Sequence, residues 1–126
     1  MQGMDHDQTV SNKVIGAAIE VHRTLGAGLL ESAYQTALGV ELAYMGVRFE
    51  RQRKYPLEYR GAIVGEYYPD LIVEDTVVVE IKSVLRMEHV FTAQLLTYLR
   101  ITGLRVGLIL NFNQTVLKDG IKRVVR

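Results

Sequence analysis

The run Val77-Val78-Val79-Glu80-Ile81-Lys82 places an acid and an amine inside a β-branched stretch. Such a stretch reads as a central strand covered on both faces, where a charge is costly unless something compensates it. Strand alternation puts Glu80 and Lys82 on one face, about 6.6 Å apart along the chain, so the two converge on one place. A cross-strand ion pair at the sheet's end is one explanation. Asp70 supplies another. It follows Pro69, which cannot donate to a ladder and therefore marks a bulge or strand edge, and the hairpin from Asp70 to Val77 can bring it beside Glu80. Two carboxylates held together repel unless a proton or cation lies between them, and oxygen ligands select a hard ion, magnesium or manganese. Beside such an ion, the Lys82 ammonium can orient a water for attack on a phosphate and stabilise the developing negative charge. Taken singly, Asp70 is also a common turn cap and Lys82 a snorkelling surface lysine.

Other residues could complete this chemistry. Gln94 and Tyr98 are one helical turn apart and share a stripe with Phe91 and Leu95, so both are expected to face inward. There the glutamine could bond a carboxylate or phosphate and the tyrosine could stack on a base; a buried amide bonded to the sheet and a core tyrosine are the packing alternative. Glu31 stands three residues before Tyr34 and seven before Leu38, which aims it toward an apolar stripe as a further carboxylate, although an acid in a helix's first turn is also favoured by the dipole. His22 reads as a packed or surface histidine rather than a ligand, His89 carries less signal, and Asp5-His6-Asp7 reads as a frayed end. Arg48, Arg51, Arg53 and Lys54, and separately Lys118, Lys122, Arg123 and Arg126, form basic clusters that could track a phosphate backbone or simply face solvent.

Elements that could position these residues are legible in the periodicity. From Asp7 to Leu25, Val10, Val14, Ala17, Ala18, Val21 and Leu25 recur at helical spacing behind the capping candidates Asp7, Thr9 and Ser11. Gly26 and Gly28 break that helix, and a second runs from Leu30 to Met45, stopped by Gly46. The pattern then alternates: a first strand from Phe49 to Tyr59, a turn at Arg60-Gly61, a second strand from Ile63 to Val73, a turn at Glu74-Asp75, and a third strand from Val77 to Ser83. A third helix spans Met87 to Thr102 and ends at Gly103, and a fourth strand covers Val106 to Phe112, implying a parallel crossover pair. The tail, Lys118 to Arg126, can add a short edge strand. The fold class expected is mixed α/β (α+β), with a central mixed β-sheet flanked by helices in the order ααβββαβ.

Composition narrows the classes. The 126 residues, 48% hydrophobic, suit a single domain over residues 1–126. With a formal net charge of +1, nothing attracts a polyanion globally, so contacts must be local. The chain has no cysteine, which excludes disulfides, thiolate zinc sites and cysteine-held iron–sulfur clusters. The polar, acidic start lacks the features of a secretory signal and no apolar run approaches the length of a spanning helix, so no membrane association and a cytoplasmic location are expected.

Asp70, then Glu80-Ile81-Lys82, then Gln94-x-x-x-Tyr98, with Pro69-Asp70 as the leading dipeptide, resembles the PD-(D/E)XK nuclease superfamily, especially its recombination-type exonuclease branch. More narrowly, Gly28-Leu29-Leu30-Glu31-Ser32-Ala33-Tyr34 is similar to the signature of the small bacterial GxxExxY proteins of that superfamily. Ala27 stands where that family often has proline, which alters the turn's stiffness. The resemblance implies a restriction-endonuclease-like core, with Asp70, Glu80 and the Ile81 carbonyl as ligands of Mg2+ or Mn2+, Glu31 as an additional acid, and Lys82 beside the attacking water. It also implies that Gln94, Tyr98 and Tyr34 support the site or the substrate. The expected activity is phosphodiester hydrolysis in nucleic acid, DNA in preference to RNA. The alternative is a catalytically silent nucleic-acid- or protein-binding module that keeps the fold. A homodimer or a protein partner supplying specificity fits so small a domain, though no seam is legible.

Overall fold

The computed structural model describes the backbone of residues 2–126 and the side chains from His6 onward. Two helices come first, α1 (Gln2–Leu25) and α2 (Glu31–Tyr44). Val10, Val14, Ala17, Ala18 and Val21 of α1 and Tyr34, Leu38 and Leu42 of α2 are all buried, as their helical spacing predicts. Between the helices, Gly26 and Gly28 hold φ of 74° and 99°, a backbone region that side-chain-bearing residues seldom adopt.

The strands are β1 (Phe49–Arg51), β2 (Tyr55–Tyr59), β3 (Ala62–Tyr67), β4 (Leu71–Val73) and β5 (Val77–Lys82). After them come α3 (His89–Thr102), β6 (Val106–Asn111), a short 3-10 helix (Leu117–Gly120) and β7 (Ile121–Val125). One mixed sheet has the order β1-β4-β5-β6-β7, and β2-β3 forms a separate two-stranded hairpin. β5 and β6 run parallel, whereas β1-β4, β4-β5 and β6-β7 are antiparallel. This is the mixed α/β, restriction-endonuclease-like arrangement expected, with the tail strand present.

Several boundaries differ from the sequence reading. The first predicted strand is two, because Gln52 takes a left-handed φ of 53° and turns the chain out of the sheet. The second predicted strand also divides, at Tyr68-Pro69-Asp70, where proline offers no N–H to continue a ladder. The order ααβββαβ therefore becomes ααβββββαββ, with β2-β3 inserted between two strands of the main sheet. Asp7, Thr9 and Ser11 lie inside α1 rather than capping it. His6 is helical too, and its ring nitrogen meets Thr76 Oγ1 at 3.2 Å, a tertiary contact that accounts for the longer helix; the Asp5 side chain is outside the described residues. Third-helix residues Met87 and Glu88 precede α3, which starts at His89. Arg60-Gly61 and Glu74-Asp75 are tight hairpin turns with positive φ at both central positions, as expected.

The sheet separates two apolar layers. Val77, Val79 and Ile81 of β5 pack toward α1 and α2, while Val78 faces Leu95, Tyr98 and Leu99 of α3. Alternation then puts Glu80 and Lys82 on the α3 face, at the end of β5.

Candidate active site

The β4-β5 ladder pairs Leu71 with Val79, so one further step of the same register sets Asp70 opposite Glu80. Two backbone bonds lock the pair. Asp70 N–H donates to Glu80 Oε2 at 2.7 Å, and Ile81 N–H donates to Asp70 Oδ2 at 2.8 Å. Each carboxylate thus spends one oxygen on the neighbouring strand, and the other Asp70 oxygen accepts from Gln52 Nε2 at 3.4 Å. Glu80 is 6% exposed.

Burial pushes the Glu80 carboxyl up to about 8, the Asp70 charge adds to that shift, and the Asp70 N–H and Lys82 oppose it. Asp70 is raised as well, chiefly by burial, against the Ile81 N–H, the Lys82 charge and a Gln52 side-chain bond. At neutral pH the pair retains a proton unless a cation takes its place. Among the described residues no group of three His, Asp or Glu is arranged to enclose an ion. Two carboxylates at an open strand end nevertheless fit magnesium, which binds through one or two carboxylates and fills its remaining positions with water and phosphate oxygens.

Lys82 is half-buried, with Nζ 4.6 Å from the centre of the Phe91 ring, and its charge acts on both carboxylates. Glu31 is exposed rather than directed into the apolar stripe, because that stripe runs through Tyr34, Leu38 and Leu42. It still lies at the site: Ser83 N–H donates to Glu31 Oε2 at 3.4 Å, and its charge reaches Asp70 and Glu80. Tyr34 is fully buried and stacked on Phe112 at 4.4 Å. Its hydroxyl donates to Gly26 O at 2.5 Å and accepts from Leu29 N–H at 3.1 Å. Leu29 O in turn accepts from Ser83 Oγ at 2.7 Å. Tyr34 therefore supports the glycine turn beside β5 from inside and presents no surface to a substrate.

Tyr98 is buried and its hydroxyl is raised by burial first, then by the Glu80 and Asp70 charges, with a Gln94 side-chain bond opposing. Gln94 itself is exposed, not on the inward stripe. The buried line of α3 runs through Leu95, Tyr98 and Leu99, and Gln94 sits at its solvent edge. The buried-amide alternative is thereby removed. Asp70, Glu80, Lys82, Glu31, Gln94 and Tyr98 all converge on the end of β5.

A family model described as the PD-(D/E)XK nuclease superfamily matches residues 8–124. The chain belongs to that superfamily. No curated protein and no solved structure matches it significantly. Superfamily members are usually phosphodiesterase nucleases and generally use divalent metals, consistent with the acid pair described above.

For a PD-(D/E)XK chain, three polar residues near this site escaped the sequence reading. Asn111, fully buried, accepts from Val84 N–H at 3.1 Å and donates to Val84 O at 3.0 Å, fixing the segment that leaves Lys82. Gln52, at the end of β1, donates to Asp70 Oδ1, and Gln35 on α2 accepts from the same Gln52 amide. A polar residue ending the buried run Val106–Leu110 was the one available signal for Asn111. His22, by contrast, is packed as expected, bonded to Gln114 O at 2.7 Å. Of the first basic cluster, Arg48 pairs with Glu74 at 3.2 Å and Arg53 with Glu50 at 3.3 Å, beside a surface recess at the far end of β4. Lys122, in the second cluster, is the β7 partner of Ile109, itself the partner of Glu80. Among the described residues no helix is long and apolar enough to cross a membrane.

Proposed function

We propose that this chain hydrolyses phosphodiester bonds in nucleic acid, DNA in preference to RNA, with Mg2+ or Mn2+ held by Asp70, Glu80 and the Ile81 carbonyl. The observation that carries this reading is the opposition of two carboxylates, each anchored through one oxygen to the other's strand. Bound there, a divalent ion supplies Lewis-acid stabilisation of phosphate charge. Lys82 holds its ammonium beside the same place, where it orients the attacking water and balances negative charge on the phosphate. Glu31 adds a carboxylate at the rim. Exposed Gln94 offers its amide to the substrate and steadies the Tyr98 hydroxyl.

The GxxExxY assignment is supported by what each motif residue does: Gly28 provides a left-handed turn, Glu31 meets Ser83 N–H, and Tyr34 closes the turn from below. Purified protein incubated with DNA and RNA in magnesium or manganese, beside Asp70→Ala and Lys82→Ala, tests the proposal. Cleavage by the wild type alone is expected, and equal activity in all three proteins overturns it.

A silent binding module is favoured by one observation, the near-neutral net charge of +1, which gives little autonomous affinity for a polyanion. Binding without cleavage in every metal would decide for that reading.

A further inference from the structure

The register that opposes Asp70 and Glu80 extends one strand further. β1 pairs Arg51 with Leu71, so Gln52 stands across from Asp70 on its other side. Gln52 N–H donates to Asp70 O at 3.2 Å, and Gln52 Nε2 donates to Asp70 Oδ1 at 3.4 Å. Oδ1 is the carboxylate oxygen that Ile81 leaves free. The second hydrogen on Gln52 Nε2 goes to Gln35 Oε1 at 3.3 Å. Gln35 is buried on α2, and the same Oε1 accepts from Arg51 Nε and Nη2 at 3.3 and 3.1 Å. An amide flip at Gln52 would lose both acceptors, so its donor end is fixed toward Asp70.

This arrangement carries a backbone cost. Gln52 has a φ of 53°, a left-handed conformation that is uncommon for a residue with a side chain and persists only where its surroundings enforce it. The conformation sends the chain out to the β2-β3 hairpin while leaving the amide on Asp70. Glycine would serve the turn alone with less strain, so the turn does not explain the glutamine.

We infer that Gln52 is a positioning residue for Asp70, holding its outward carboxylate oxygen in place for a divalent cation, with Gln35 and Arg51 orienting the Gln52 amide. The inference rests on the metal-site reading above. Carboxylates that bind metals need such outer hydrogen bonds to keep their orientation, and losing one typically lowers metal affinity or activity by about 10–100-fold. Gln52 acts through Asp70 and is not assigned a contact with substrate.

Titration of the full chain with Mn2+ alone, followed by calorimetry, tests it with wild type, Gln52→Gly, Gln52→Asn and Asp70→Ala. Gln52→Gly removes the amide and relieves the left-handed backbone; Gln52→Asn tolerates that backbone but is one methylene too short to keep both bonds. Expected are Mn2+ binding by wild type, a loss of about 10–100-fold in affinity in both Gln52 variants, and no drop in metal-free melting temperature for Gln52→Gly. Cleavage by the Gln52 variants is expected to recover as Mn2+ is raised to saturation. Wild-type affinity in both Gln52 variants overturns the positioning role while leaving the metal site standing. Absence of Mn2+ binding in wild type, or equal binding in Asp70→Ala, overturns the metal site and this inference with it.

Discussion

Asp70 and Glu80 hold each other through backbone amides of opposite strands: Asp70 N–H lies 2.7 Å from Glu80 Oε2, and the residue after Glu80 returns a bond to Asp70 Oδ2 at 2.8 Å. The bonds fix two acids at a distance neither would choose without a proton or cation. In metal-free protein the folded state therefore binds a proton that the unfolded chain releases.

The pH dependence of stability follows from that proton. Glu80 titrates at about 8 when folded, against about 4.3 in an unfolded chain. Within that window the native state binds more protons, so unfolding free energy falls as pH rises. The contribution is complete below about pH 4 and lost by about pH 8, amounting to a few kcal/mol in order of magnitude. Asp70, also raised, has the same sign. Glu74, lowered first by the Arg48 N–H, has the opposite sign. Urea unfolding in EDTA is expected to show lower stability at pH 8 than at pH 5, with excess magnesium restoring most of the difference. Flat or rising stability in EDTA contradicts the account.

Lys82→Met separates the ammonium from its stem. The ammonium nitrogen lies over the Phe91 ring, and methionine can set its thioether against the same ring in place of that contact, so the melting temperature is expected to shift little. Removing a charge aimed at a developing anion typically costs about 100–1,000-fold in rate. Single-turnover cleavage of labelled DNA at saturating Mn2+ measures it. A rate within a factor of three of wild type, the order expected from packing change alone, excludes Lys82 from the chemistry.

How far the site could be read from sequence depended on the kind of signal each residue carried. Glu80 and Lys82 stand out because charge inside a β-branched run is anomalous, and Asp70 could be joined to them because the tight Glu74-Asp75 turn sets the β4-β5 register. Gln52 carried no such mark. Its role depends on β1 ending at Arg51, a break produced by a left-handed residue that neither proline nor glycine announces. The spacing alone puts Gln94 on the inward stripe, and the structure puts it at that stripe's solvent edge, because Phe91, Gln94, Leu95 and Tyr98 all satisfy a three-to-four spacing. Only packing against Val78 and Ile109 selects the line through Leu95, Tyr98 and Leu99. Glu31 and Tyr34 were legible as a spacing, but their opposite fates, exposed and fully buried, were not.

Tyr34→Phe removes one oxygen from a fully buried site. The hydroxyl satisfies Gly26 O and Leu29 N–H together, and phenylalanine leaves both without that partner while preserving the stack on Phe112. A loss of about 1–3 kcal/mol in stability is expected, read as a lowered urea midpoint with an unchanged m-value. Loosening the turn also frees Leu29 O and Ser83 beside Glu31. Amide exchange at Leu29 and Ser83 is therefore expected to quicken before that of the sheet. Unchanged exchange at both would show that the turn holds itself.

Gly120→Ala and Gly107→Ala differ in what the added methyl meets. At Gly107 the contact is the end of the Leu95 side chain, 2.6 Å away, whereas at Gly120 it is the backbone oxygen of Asn111, closer still. Leu95 can change rotamer, and a loss of about 1–3 kcal/mol is the expected scale for such overpacking. Asn111 O cannot retreat without moving the end of β6, where the Asn111 side chain holds Val84 on both its polar groups. Gly120→Ala is therefore expected to destabilise more than Gly107→Ala and to displace the chain that follows Lys82. Thermal unfolding ranks the two variants, and Mn2+ titration of whichever folds reports the acid pair. Gly107→Ala should bind Mn2+ as wild type does, because the nearest atoms its methyl meets belong to the Leu95 side chain and not to the acid pair. Equal melting temperatures for the two would mean that β6 yields at Asn111 as readily as a leucine turns.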